Sequence, residues 1–128
     1  MRNLLDTHIF ITAAKSGLEG LSLKARKIME DDEIERVLSA VSITEIAVKT
    51  KLGKLELSSA IVMQSIADMR LTLLPFTAKH ALRMFDLPLH HYDPFDRMLI
   101  ATALVENLPI LSADRAFAEY SDLQFIKA

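Results

Sequence analysis

The chain has no cysteine, which excludes disulfides, thiolate metal sites and a Cys nucleophile and agrees with a reducing compartment. Glycine occurs only at 17, 20 and 53. With no Pro-, Ser- or Gly-rich stretch and no low-complexity run, nothing reads as a linker, and no internal repeat is present. A long apolar run is also missing. Met1-Arg2-Asn3 leads into a short hydrophobic segment that Asp6 interrupts, so neither a secretory signal nor a membrane span is expected, and a cytoplasmic location is the default. Charge of one sign is lacking too. The 15 basic and 17 acidic side chains leave a formal charge of −2, so no global basic field gathers polyanions, and any nucleic acid must be held locally.

What is there is a chain of 128 residues, 51% hydrophobic and 25% charged. The expectation is a single globular domain over 1–128, with a substantial core and some apolar surface left for a partner. Strands are expected at 2–6, 36–41, 72–76, 109–111 and 123–126. Between them come one or two helical turns over 7–14 and a helix over 23–30 behind Ser22. A helix over 43–52 follows, with Ile43, Ile46 and Ala47 facing inward and Gly53 as its stop. Further helices are expected at 60–70, at 78–85, and from Pro94 to about Glu106, with 87–92 an irregular connector. This alternation predicts an α/β fold, a three-layer α/β/α sandwich around a parallel sheet of four to five strands joined by right-handed crossovers. Ligands in such folds bind beyond the carboxyl ends of the strands.

Five acids fall at that edge. Asp6 closes Asn3-Leu4-Leu5, Glu45 follows Ser39-Ala40-Val41-Ser42, and Asp114 follows Pro109-Ile110-Leu111-Ser112. Asp93 and Asp96 open a helix that runs antiparallel to the strand after it, which returns its first turn to the same edge. Each acid also has a structural explanation. Asp6 can cap the turns that follow, Ser42-Ile43-Thr44-Glu45 spells a capping box, Asp93 with Pro94 and Asp96 resembles another cap, and Asp114 can pair with Arg115. Capping does not require charge, however, because neutral Ser, Thr or Asn serves as well. Two bare carboxylates about 4 Å apart repel by roughly 4 kcal/mol at an effective dielectric near 20. A hard divalent cation such as Mg2+ or Mn2+ removes that repulsion, and an acid cluster armed with one suits phosphodiester chemistry.

The segments Leu4-Leu5-Asp6-Thr7-His8, Val41-Ser42-Ile43-Thr44-Glu45-Ile46-Ala47, Asp93-Pro94-Phe95-Asp96-Arg97-Met98-Leu99-Ile100-Ala101 and Leu111-Ser112-Ala113-Asp114-Arg115-Ala116-Phe117 occur in order over residues 4 to 117. They resemble the four motifs of PIN-domain nucleases, and most of all those of the VapC-type toxins of type II toxin–antitoxin pairs. Each motif alone is weak, and the ordered set is specific. The resemblance implies a metal-dependent endoribonuclease in which Asp6, Glu45, Asp96 and Asp114 are catalytic and hold one or two Mg2+ or Mn2+ ions that activate water against an RNA phosphodiester. Thr7, Asp93, Ser112 and Arg97 would support them. It further implies an RNA substrate such as tRNA or another structured RNA, a cognate antitoxin protein, a homodimer, and no membrane partner. Ser112 stands where many relatives have Thr, its hydroxyl expected to orient Asp114 or a water. Thr44 stands where an aromatic is common, which leaves no ring there to stack on a base.

Lys49, Lys51, Lys54, Arg97 and Arg115 are candidate phosphate contacts. Lys49 lies four residues after Glu45 and can simply pair with it; solvation is preferred for Lys51 and Lys54, and phosphate contact for Arg97. His8, His90 and His91 stand near the acids, but none has the His-x-x-x-His spacing of a zinc site, and hydrogen bonding is expected of them. The methionines at 29, 63, 69, 84 and 98 are expected in core or interface packing. Two other functions compete. An aspartyl-phosphate phosphohydrolase would need a second Asp two positions after Asp6 and a Lys after a strand, and neither is present. A catalytically weak PIN-like scaffold would have lost acids, whereas all four positions are filled.

Overall fold

A computed structural model of the chain describes residues 1–90 and 92–128; His91, one of the histidines singled out above, lies outside the described residues. Five strands, β1 (Arg2–Leu5), β2 (Glu35–Ser39), β3 (Thr72–Leu74), β4 (Ile110–Ser112) and β5 (Phe125–Lys127), form one sheet in the order β3-β2-β1-β4-β5. Every pairing is parallel, with Leu4 beside Val37 on one side and beside Ile110 on the other. Among the described residues six α-helices connect and cover the strands: α1 (Thr7–Ser16), α2 (Leu23–Glu30), α3 (Ala40–Lys51), α4 (Ser59–Asp68), α5 (Ala78–Arg83) and α6 (Pro94–Glu106). This is the α/β/α arrangement expected from the alternation of strand and helix.

Side chains alternate across the strands, so each face has its own core. Leu4, Val37 and Ile110 pack with Leu99, Ile100 and Ala103 of α6. On the opposite face Leu5 and Leu111 pack with Ile9 and Ala13 of α1 and Ala25 and Met29 of α2, while Leu38 meets Phe10, Ile46 and Val62. A fully buried Leu contributes roughly 1.5–3 kcal/mol through the apolar area it removes from water. The chain steps outward from β1 to β3, then crosses back to place β4 on the free side of β1. The winding therefore reverses between β1 and β4, and a crevice opens at the carboxyl ends of strands at such a reversal.

Several local expectations need correction. β2 ends at Ser39, not at residue 41, and α3 begins at once with Ala40, because the Ser39 hydroxyl accepts the Val41 N–H at 3.0 Å and caps the helix without a loop. The capping box at Ser42 to Glu45 is therefore absent: Ser42 is already in the first turn and Glu45 lies beyond it. Ala47 is exposed, because Ile46 takes the inward position and the next residue is rotated about 100° round the helix. Helix α1 is ten residues long, more than the two turns expected. Met63 is 70% exposed, so of the two kinds of packing expected of the methionines it does not take the core one. Among the described residues no helix is long and apolar enough to cross a membrane.

Candidate active site

The acids arrive at one edge by three local routes. Asp6 directly follows β1, Asp114 follows β4 by two residues, and Glu45 rides on α3. Asp93 caps α6, its carboxylate accepting the N–H groups of Phe95 at 2.8 Å and Asp96 at 3.3 Å, and Pro94 fits the first turn because it has no N–H to satisfy. That cap fixes Asp96 in the first turn of α6. The grouping is visible in Asp96 itself, whose carboxyl is pushed up to about 7 by burial first and then by the charges of Asp6, Asp93, Glu45 and Asp114. The other four carboxylates therefore all lie within electrostatic reach of Asp96.

Capping does not account for the two deepest acids. Asp6 occupies the N-cap position of α1, yet its side chain makes no capping bond. Its Oδ2 instead accepts the Ser112 hydroxyl at 2.7 Å, across 106 positions of sequence, and the same hydroxyl accepts the Asp114 N–H at 3.0 Å. Ser112 thus orients Asp6 by its proton and Asp114 through the backbone. Burial raises the pKa of Asp6 and the charge of Glu45 adds to that, while the Ser112 bond, His8 and the Thr7 backbone oppose it. Glu45 is 1% exposed, and its Oε2 accepts the Lys49 ammonium at 2.6 Å. The remaining oxygens, Asp6 Oδ1 and Glu45 Oε1, are buried with no hydrogen-bond partner. Buried polar atoms of this kind are rare in native folds and call for a physical reason.

Supporting residues take defined positions. The buried hydroxyls of Thr7 and Ser42 bond at 2.8 Å and tie the start of α1 to the first turn of α3. Arg97 donates to the carbonyls of Pro88 at 2.9 Å and Leu87 at 3.4 Å, so its guanidinium anchors the connector before α6 instead of pointing wholly toward a phosphate. Asp114 caps the 3-10 turn at Arg115–Glu119 by accepting the Ala116 N–H at 3.0 Å. His90 packs edge-on to Tyr120, with ring centroids 4.9 Å apart. Sequence reasoning missed the part played by Ser42, whose signal was its place one turn ahead of Glu45, and the link from Ser112 to Asp6, for which no local signal exists.

Among the described residues no three His, Asp or Glu side chains close into a finished ligand set. Four of the acids have one oxygen engaged: Lys49 holds one of Glu45, Ser112 one of Asp6, and backbone N–H groups one each of Asp93 and Asp114. The chemistry of the donors still fits a hard cation, since the two unpartnered oxygens of this cluster belong to carboxylates and the chain has no thiolate. A cleft of about 640 Å3 beside Gly17, Arg36 and Asp68 includes none of the five acids.

A family model described as the PIN domain matches residues 4–123. The chain belongs to the PIN domain family. Its fold is similar to a chain in the crystal structure of VapBC2 from Rickettsia felis bound to a promoter DNA fragment, with 15% identity, coverage of 99% of this chain and 98% of that one, and a TM-score of 0.71. It is similar too to a chain of DNA-bound VapBC from Salmonella typhimurium, at 14% identity, 99% and 98% coverage and a TM-score of 0.70. VapBC-1 from nontypeable Haemophilus influenzae gives 20%, 99% and 98%, and 0.67. At these identities the likeness is one of fold. Comparison with curated proteins gave no match.

Proposed function

We propose that the chain is a Mg2+- or Mn2+-dependent endoribonuclease and the toxin half of a toxin–antitoxin pair, acting in the cytoplasm as a homodimer on tRNA or another structured RNA. PIN domains are generally nucleases, and the observation that carries the finer reading is the pair of buried, unpartnered oxygens Asp6 Oδ1 and Glu45 Oε1 in an acid cluster. Unused carboxylate lone pairs at such an edge suit a hard divalent cation. Asp6 and Glu45 would hold it, with Asp96 and Asp114 completing the donor set. When bound, the ion supplies charge to offset the phosphate and a Lewis acid that lowers the pKa of water.

The chain's own residues do the positioning. Ser112 fixes Asp6 Oδ2 and so sets the direction of Oδ1. Asp93 holds the first turn of α6, which keeps Asp96 in place when RNA presses on it. Thr7 and Ser42 prevent α1 and α3 from parting beneath Asp6 and Glu45. Water is the nucleophile in this reading, since the chain has no cysteine and Asp6 has no acid partner two positions on. The antitoxin partner is supported by the VapBC crystal structures in which chains of this fold occur.

The test is cleavage of a structured RNA by purified protein. Asp6→Asn and Asp96→Asn are expected to fold and to lose at least about 100-fold in rate, and EDTA to abolish cleavage until Mn2+ is restored. Cleavage that survives either substitution or excess EDTA overturns the assignment. Expression should arrest growth unless a small antitoxin is co-expressed; harmless expression of an active nuclease would remove the toxin role.

A further inference from the structure

We infer that Lys49 is the built-in counter-cation of the acid cluster, and that a divalent ion binds there only by displacing its ammonium from Glu45. The inference rests on the metal-dependent reading above. Glu45 is almost completely buried, and its two oxygens are in unlike states: Oε2 accepts Lys49 Nζ at 2.6 Å, while Oε1 has no donor. A buried carboxylate left charged and without a cation costs several kcal/mol in general, and a positive charge held beside it offsets that cost whenever no metal does. Lys49 is placed for that task. Its side chain is 31% exposed against 1% for that of Glu45, so the ammonium meets the buried carboxylate while keeping contact with water. Lys51, on the same helix, is exposed.

A cation held by Glu45 Oε1 would share one carboxylate with the Lys49 ammonium on Oε2, and two cations on a single buried carboxylate repel strongly. Lysine is a compact charge on a flexible four-carbon stem and can leave Glu45 by rotation alone, with α3 unmoved. The cluster is then neutralised in advance, which lets the acids fold together before metal arrives and weakens the binding of that metal. Lys49 also ceases to be a simple helix-surface pair: the same i to i+4 contact that satisfies the free protein becomes a competitor for the ion.

The experiment is a Mn2+ titration followed by electron paramagnetic resonance at pH 7.5 on the full chain and three variants. Lys49→Gln keeps a donor for Glu45 but removes the charge, and is expected to bind Mn2+ at least about tenfold more tightly than the wild type. Lys49→Arg grips a carboxylate with two bonds and is expected to bind it more weakly. Lys51→Gln, with the same change in net charge, should stay within about twofold. In EDTA, Lys49→Gln should melt below Lys51→Gln, a readout independent of metal. Equal or weaker Mn2+ binding by Lys49→Gln, or tightening matched by Lys51→Gln, overturns the inference. Mn2+ bound by none of the four proteins removes the metal-dependent function on which it stands.

Discussion

Replacing Asp96 with Asn should make the metal-free protein more stable while destroying its proposed activity. The ordinary carboxyl value of 3.8 is pushed up to about 7 in the folded chain, by burial first and by four neighbouring acids after it. A group raised in this way adds its full stability below pH 3.8, where folded and unfolded chains are both protonated. That stability is lost as pH climbs toward 7, because the unfolded chain sheds a proton that the folded chain retains. Above 7 the folded protein carries an unfavourable charge at constant cost. The gap corresponds to about 4 kcal/mol for a group sealed from water. Asp96 is only half-buried, and solvent screening reduces the figure to about 1–2 kcal/mol. Asn has no charge to penalise, so Asp96→Asn should raise the melting temperature by about 4–8 °C at pH 8 in EDTA, by less at pH 5, and by nothing measurable near pH 3.5. Thermal denaturation by circular dichroism across that range decides it. An Asp96→Asn protein no more stable than wild type at pH 8, or equally stabilised at pH 3.5, would show that the acids do not press on one another. Adding Mn2+ should then stabilise the wild type and leave the variant little changed.

Other perturbations probe the supports. Ser112→Ala removes the donor to Asp6 and the acceptor of the Asp114 N–H, and should lower stability by about 1–3 kcal/mol in urea titrations. The same change should push the Asp6 pKa further up, since Ser112 is the strongest influence holding it down; a carboxyl titration by NMR that moves downward would contradict this. Thr7→Val breaks the buried bond to Ser42 with little change of shape and should cost about 1–2 kcal/mol, with loss of cleavage rate exceeding that cost if the bond aligns Asp6 and Glu45. Cleavage unchanged in Thr7→Val would make the bond merely structural.

The strands were legible because short apolar segments end at charged or turn residues, and their alternation with helical spacings dictates a parallel sheet. Asp6, Asp93, Asp96 and Asp114 could be placed at the carboxyl edge from that topology alone. Glu45 was placed at the edge as well, behind a strand expected to reach residue 41 that in fact stops at Ser39. The Ser42 to Glu45 spelling suited a capping box, and nothing local reveals that Ser39 caps first and lets β2 run into α3 without a loop. The Lys49 pair was readable from its spacing, because four residues make neighbours on a helix. Arg97 was not: its hold on the carbonyls of Leu87 and Pro88 depends on how an irregular connector folds back, which carries no periodic signal. The bond from Ser112 to Asp6 is the extreme case, since it exists only through the placement of β4 beside β1.

That placement has a consequence for synthesis. On an emerging chain β1 appears more than a hundred residues before β4, so until then Asp6 lacks both the strand that will flank it on that side and the serine proton that will steer it. A partly made polypeptide carries the earlier acids without the means to align them. The edge that gathers these acids therefore comes together only once β4 is in place beside β1.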